Sequence, residues 1–293
     1  MSLITIVTPT YNRSKKLLLL YESLQKQSNM DFEWLIVDDG STDDTEDCIA
    51  RFYSSATFQF RYIKKENGGK HTALNIGIKE VDSPLTFIVD SDDVLLPNAI
   101  ELISCYYQKY SGRKDIGAFA FLKCNSKGES ILKLEQDEFV ESYIKYRIRG
   151  DRPGDMAEVF YTDILLQHPF SEFKGEKFLS EDVVWIQIGL RYKFVFINRA
   201  IYQYEYQSDG LTASDKPIKF ASPQGSMFRG KMLMQKECGI KANIKGAIIY
   251  NCYKRELNSN NIPVSLCIKS LRDKLIIIVT KPLGVYFHQK WKA

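Results

Sequence analysis

The sequence predicts an α/β fold: a Rossmann-like, mostly parallel sheet with helices on both faces, followed by a helical C-terminal region. Three observations carry this. Apolar, β-branched runs alternate with amphipathic stretches four times over residues 3–110. The connections between them are short, as in right-handed crossover units. Beyond Ser222 the apolar spacing turns helical and turn residues become sparse.

Leu3–Val7 is a continuous apolar run, expected of a strand covered on both faces. It stops at Pro9-Thr10-Tyr11-Asn12. Ser14 then suits the N-cap of a helix to about Gln27, with Leu17, Leu18, Leu20, Tyr21 and Leu24 supplying its apolar face. Phe32–Val37 is a second strand, ending in Asp38-Asp39-Gly40-Ser41-Thr42. Ser41 and Asp44 are spaced as a capping box for a helix to Tyr53. Phe58–Ile63 is a third strand. Asn67-Gly68-Gly69-Lys70 is a loop before a helix over His71–Val81. Thr86–Val89 is a fourth strand, and a helix follows from Asn98 to Tyr110.

The second half is less regular. Strands are expected at Ile116–Lys123 and Ser130–Leu134 around a turn at Asn125–Gly128, then a helix over Phe139–Arg147 and an exposed loop over Gly150–Gly154. Glu158–Leu166 reads as strand or short helix, and Glu181–Leu190 as helix with Val184 and Ile188 buried. Phe194–Asn198 and Ile201–Tyr206 return to strand character. Turn signals recur at Gly239, 258–263 and Pro282–Gly284. The expected organisation is a catalytic domain over 1–217, with halves at about 1–110 and 111–217, and a basic helical region over 218–293.

Composition excludes several classes. Hydrophobic residues at 44% and charged residues at 26% are ordinary for a globular protein. Six scattered cysteines form no C-x-x-C pair, which fits reduced thiols better than a disulfide framework or a zinc site. No secretory leader pattern and no run of 18 apolar residues occurs, so a cytoplasmic protein is expected. The net charge of +4 hides an asymmetry: residues 241–293 hold ten Lys/Arg against two acids. A basic tail interleaved with aliphatic and aromatic residues points to an anionic membrane surface or a partner subunit. Nothing points to nucleic acid.

The densest chemistry is Asp90-Ser91-Asp92-Asp93, closing the fourth strand. Carboxylates crowded at an interior strand's end call for a cation or hydrogen-bond donors. A solvated helix-capping turn is the bland alternative. Three loops of this kind, Thr8–Asn12, Asp38–Thr42 and Asp90–Asp93, fall where open α/β sheets bind ligands. Glycines 68 and 69 let backbone approach a ligand, and Lys70 brings a point charge suited to phosphate.

The ordered set Thr8-Pro-Thr-Tyr-Asn12, Val37-Asp-Asp-Gly-Ser-Thr-Asp43, Asn67-Gly-Gly-Lys70, Ala73-Leu-Asn75, Asp90-Ser-Asp-Asp93, Gly175-Glu-Lys-Phe178, Ser180-Glu-Asp182 and Gly210-Leu-Thr212 resembles family 2 glycosyltransferases of the GT-A fold. The resemblance implies an inverting transfer of a sugar from a nucleoside-diphosphate donor, a UDP-sugar, to an acceptor hydroxyl, with Mn²⁺ or Mg²⁺. It implies Pro9, Tyr11, Asp39, Lys70, Asp90 and Ser91 as donor contacts, with Asp39 meeting the uracil N–H, and Asp92 as the metal ligand. Asp182 matches the general base, and Asp155, Glu158 and Glu181 lie where the acceptor is shaped. Many relatives add a His ligand late in the domain, where this chain has Tyr202–Tyr206.

The expected acceptors are a surface polysaccharide, a lipid-linked glycan or a glycoprotein glycan, at the cytosolic face of a membrane. The contrasting class is an inactive relative serving as a binding or scaffold subunit. His71 is expected as a surface or capping residue, His168 in a turn, and His288 in the basic tail; none is assigned catalysis.

Overall fold

Every residue of β1 (Ile4–Thr10) is buried, as a parallel strand roofed by helices on both faces must be. In the computed structural model, which describes residues 2–130, 132–152, 154–204, 215–260, 262–264 and 266–292, β1 sits between β2 (Phe32–Asp38) and β4 (Leu85–Ile88). β3 (Gln59–Lys64) lies outside β2, and all these pairings are parallel. Helices α1 (Ser14–Gln25), α2 (Thr45–Ser55) and α3 (Lys70–Lys79) connect them, as the alternating pattern requires. Trp34, Phe52, Phe87 and Tyr21 fill the core on one face.

Beyond β4 the sheet becomes mixed. β5 (Val94–Leu95) precedes α4 (Ala99–Lys109). β6 (Ile116–Cys124), β7 (Glu138–Ser142), β8 (Met156–Tyr161), α5 (Thr162–Leu166) and β9 (Lys193–Gln203) follow. The order is β3-β2-β1-β4-β8-β6-β9-β5, with β7 also on β9. β8 is antiparallel to both β4 and β6, whereas β6 and β9 are parallel.

Contacts divide the chain into two compact units. One comprises residues 1–141, 153–169 and 191–205; the other comprises 142–152, 170–190 and 206–293. The second unit is helical: α6 (Asp182–Gly189), α7 (Asp215–Ala221), α8 (Pro223–Leu233), α9 (Ile240–Ser259) and α10 (Leu271–Lys292). Among the described residues no helix is long and apolar enough to cross a membrane.

Several local expectations change. Ser14 is the first helical residue rather than a side-chain cap, and its N–H donates to Asp43 Oδ2 at 3.1 Å from another loop. The capping box at Ser41 and Asp44 does not form, because the Ser41 N–H is taken by Asp38 Oδ1 at 2.7 Å. The strand expected over 130–134 shrinks to one bridge, Ser130 to Cys124. Residues 139–147 split into the end of β7 and a π-helical turn, Ile144–Arg149. β9 is one strand where two were expected. Pro282 and Gly284 lie inside α10, their local breaking tendency overridden by packing on α9. Ile131, Pro153 and the motif Gly210–Thr212 lie outside the described residues.

Candidate active site

Four loops meet at the carboxyl edge of β1 to β4 in the first unit. The first two are tied together. Asp39 N–H donates to Thr10 O at 2.8 Å, and Asn12 N–H to Ser41 Oγ at 2.9 Å. Asn12, at φ 52°, returns its Oδ1 to the Thr42 N–H at 2.8 Å. Pro9 is buried in register with Val37, while Tyr11 is 47% exposed.

Asp39 locks the third loop to the second. Its carboxylate accepts from Lys65 Nζ at 2.6 Å, Asn67 Nδ2 at 3.2 Å, and the N–H groups of Gly68 and Gly69 at 2.9 and 2.7 Å. These four donors match a carboxylate's acceptor capacity. Gly40 makes the approach possible: its φ is +82°, and a Cβ there would lie 2.9 Å from Asn67 N. Asp38, fully buried, accepts from Ser41 N–H and Tyr62 OH, both at 2.7 Å. Burial and Asp38 push the Tyr62 phenol up, so it remains a protonated donor.

Lys70 opens α3 and places Nζ 2.5 Å from Asp90 Oδ1. Asp90 belongs to a turn closed by Asp93 N–H donating to Asp90 O at 3.2 Å. Tyr202, 1% exposed, braces this turn: its hydroxyl accepts the Asp90 N–H at 3.0 Å and donates to the Asp93 carboxylate. Lys123 Nζ sits 4.1 Å from the centre of the Tyr202 ring. Burial acts to raise the Asp90 carboxyl, but Lys70 and Lys123 outweigh it and hold Asp90 ionised. Asp92 is raised by burial and by Asp90, and Asp93 by the same two causes to about 6. Three carboxylates thus share a turn with two lysines. Ser91 is buried within it.

Asp155 is exposed just before β8, and Glu158 lies within β8 opposite Ala120. Both belong to the first unit, with Asp39, Lys70 and the acidic turn.

Glu181 and Asp182 stand at the start of α6 in the second unit. Arg229 of α8 grips Asp182 with Nε at 2.9 and 2.8 Å and with Nη2 at 2.7 Å. Burial works against ionisation of Asp182, but Arg229 and Ser180 lower its carboxyl below the usual range. Glu176 of the Gly175–Phe178 motif accepts from the Gln224 and Gly225 N–H groups at 2.7 and 2.8 Å, satisfying the start of α8. No local spacing announces these partners. Arg229 lies 47 residues from Asp182, and Tyr202 lies 112 from Asp90. Lys65, just before the Asn67–Lys70 motif, carried no signal beyond its charge.

His71 is buried rather than surface-placed. His168 is also buried, with Nδ1 2.8 Å from Ile164 O at the end of α5. His288 is buried against Glu256. All six cysteines are free thiols.

Comparison with known proteins adds a lineage to this geometry. Residues 5–156 match the family model described as glycosyl transferase family 2. A similar protein is the glycosyltransferase GlyG of Streptococcus pneumoniae serotype 4, 28% identical over 240 residues, 78% of this chain and 79% of that one. The fold is shared with the crystal structure of S. aureus TarS 1–349 in complex with UDP-GlcNAc (TM-score 0.64, 16% identity, covering 95% of this chain and 79% of that one). It is also shared with the mannosyltransferase PcManGT from Pyrobaculum calidifontis in complex with GDP-Man and Mn²⁺ (TM-score 0.59, 15% identity, 99% and 84% covered).

Proposed function

The chain belongs to glycosyl transferase family 2 and is a glycosyltransferase acting on a nucleotide sugar, and from that premise we propose an inverting hexosyl transfer from a UDP-sugar to a glycan, lipid-linked or glycoprotein acceptor at the cytosolic membrane face. One observation carries this reading: the Lys70–Asp90 bridge joins the glycine loop to the acidic turn on the edge that also holds Asp39.

In this reading Pro9 and Tyr11 wall the uracil ring and Asp39 accepts its N–H. Among the partners of Asp39, Lys65 is the one on a flexible stem, and it yields its place when the base enters. Ser91 and Asp90 serve the nucleoside side, and Lys70 turns from Asp90 to the diphosphate. The acceptor hydroxyl oxygen attacks the anomeric carbon opposite the bond to phosphate. That bond breaks with its electron pair leaving on UDP, and Asp182 takes the hydroxyl proton. Asp155, Glu158 and Glu181 shape the acceptor.

A divalent cation fits the residues present. The excess of carboxylate over lysine at residues 90–93 leaves Asp92 beside Asp90 in a setting that raises both Asp92 and Asp93. Among the described residues no three His, Cys, Asp or Glu side chains converge as a closed cage. That donor set suits Mn²⁺ or Mg²⁺ held by Asp92 with ligand oxygens and waters. The chemistry such a cation supplies is neutralisation of charge on the departing diphosphate.

The test is turnover of a panel of UDP-sugars, read as UDP release and as a mass-shifted acceptor. Release dependent on acceptor and lost in Asp182→Asn is the expected result. Nucleotide-sugar binding without turnover on any acceptor supports the contrasting scaffold reading.

A further inference from the structure

Helix α10 wears its apolar side outward. Thr280, Gly284 and His288 face α9, where Asn251 Nδ2 donates to Ile277 O and Thr280 Oγ1 at 2.8 and 3.1 Å. Gly284 is required there, because a Cβ would collide with Asn251. His288 and Lys292 close on Glu256 of the same helix. The opposite side carries Leu271, Leu275, Ile278, Val279, Leu283 and Tyr286, each between 47% and 77% exposed. At 100° per residue these six fall within an arc of roughly 140°. Pro282 lies in the same arc and is exposed.

The borders of this stripe are cationic. On the helix wheel Lys274 and Lys281 lie outside one edge of the stripe, and Arg272 and Lys290 fall near its other edge, between Val279 and Leu283. Lys290 Nζ also lies 5.9 Å from the Tyr286 ring. The helix contains one acid, Asp273, already paired with Arg272 at 2.8 Å. Residues 274–292 contain none.

We infer that the outer face of α10 docks the protein on an anionic lipid surface, lying in the interfacial plane with its aliphatic stripe immersed and its lysines among headgroups. An apolar face with basic flanks is the chemistry such a surface recognises. Lys stems reach outward while their ammonium groups stay wet, and Tyr286 suits the headgroup level. A second copy is the weaker occupant. Self-pairing of this face would bring Lys margins together with no carboxylate on the stripe to meet them. The inference does not rest on which sugar is moved or on the donor site working.

The experiment is flotation of the full chain with vesicles of phosphatidylcholine alone or with phosphatidylglycerol at roughly one lipid in three. Variants are the pair Ile278→Ser and Val279→Ser, and the triple Lys274→Gln, Lys281→Gln and Lys290→Gln. The wild type is expected to float only with the anionic vesicles, at low salt more than at high. Each variant is expected to lose at least roughly ten-fold in partitioning while keeping its melting temperature and UDP binding, since the changed side chains face outward. Absence of flotation by the wild type overturns the inference, as does flotation unaltered by both variants. A stable dimer by light scattering that the Ser pair dissolves also overturns it, assigning the face to a second copy. UDP binding is measured on the same samples, so a failed donor reading is distinguishable from failed docking.

Discussion

Arg229 grips the carboxylate of Asp182 with two nitrogens, at 2.7 to 2.9 Å, so the residue assigned as base is ionised and held in one orientation. Burial alone would raise this carboxyl, and the guanidinium reverses the sign. Asp182→Asn keeps the shape and removes the proton acceptor. It should retain donor affinity by calorimetry and lose roughly 10²- to 10⁴-fold in kcat. Arg229→Gln removes the largest influence opposing burial and leaves only Ser180 and Lys219, so the pKa of Asp182 rises and the acidic limb of the rate profile moves to higher pH. An acidic limb that stays in place would show that Asp182 is not the group being titrated.

Tyr202 fills a different need. Its hydroxyl serves both the Asp90 N–H and the Asp93 carboxylate. Tyr202→Phe leaves a buried donor and a buried acceptor without it, at a cost of about 1–3 kcal/mol. Chemical denaturation should show that loss, and UDP affinity should fall with it because the turn holds the proposed donor contacts Asp90 and Ser91. Stability lost with UDP affinity unchanged would separate the turn from the donor site.

Much of the fold was legible because local chemistry agreed with the tertiary outcome. Leu3–Val7, Phe32–Val37 and Thr86–Val89 are apolar runs between turn residues, and each became a parallel strand of the predicted half. Failures cluster where distant atoms decide. Ser41 looks like a cap until Asp38 takes its N–H. Residues 170–190 join the C-terminal helices in one compact unit through Asp182–Arg229 and Glu176–Gly225, pairs that no local pattern links. Pro282 and Gly284 read as a turn, yet both are accommodated in α10, one at its exposed side and one against Asn251. The motifs of the candidate site stand out in the sequence for the opposite reason: their spacing is local. Their partners Lys65, Lys123, Tyr202 and Arg229 do not, since a lone cation or tyrosine carries no periodicity.

The Lys65–Asp39 contact, at 2.6 Å with both side chains largely buried, stands where the nucleotide base is proposed to bind. The Gly68 and Gly69 N–H groups hold Asp39 independently of the lysine. Lys65→Met should therefore leave the loop folded while freeing an acceptor site, and UDP should bind more tightly by calorimetry. Asp39→Asn should weaken it by roughly ten-fold or more, a hydrogen bond to a charged group. Weaker binding in Lys65→Met would make the ammonium a ligand contact rather than an occupant.

At the acidic turn, Asp92→Ala should abolish any gain in UDP affinity given by Mn²⁺ and leave metal-free affinity nearly unchanged. Titrations with Mn²⁺ and with a chelator, on both proteins, measure the difference directly. An equal Mn²⁺ gain in the variant would move the proposed ligand elsewhere, with Asp93, raised to about 6, the neighbouring carboxylate.

In the helical unit Glu256, 5% exposed, collects Lys292 Nζ at 2.9 Å, Asn260 Nδ2 at 2.9 Å and His288 Nε2 at 2.8 Å. Burial works to raise its carboxyl, and these three partners outweigh it and lower it below its ordinary value of 4.5. A lowered folded pKa means the unfolded chain binds its proton first as pH falls. The stabilisation is therefore complete above about pH 4.5 and drains away as pH drops through the lowered folded value. Glu256→Gln should cost about 1–3 kcal/mol at pH 7 and flatten that acid dependence in denaturation curves taken from pH 7 downward. An unchanged slope on the acid side would mean that other carboxylates govern acid unfolding, and that α10 is held on α9 chiefly by the packing around Gly284 and Thr280.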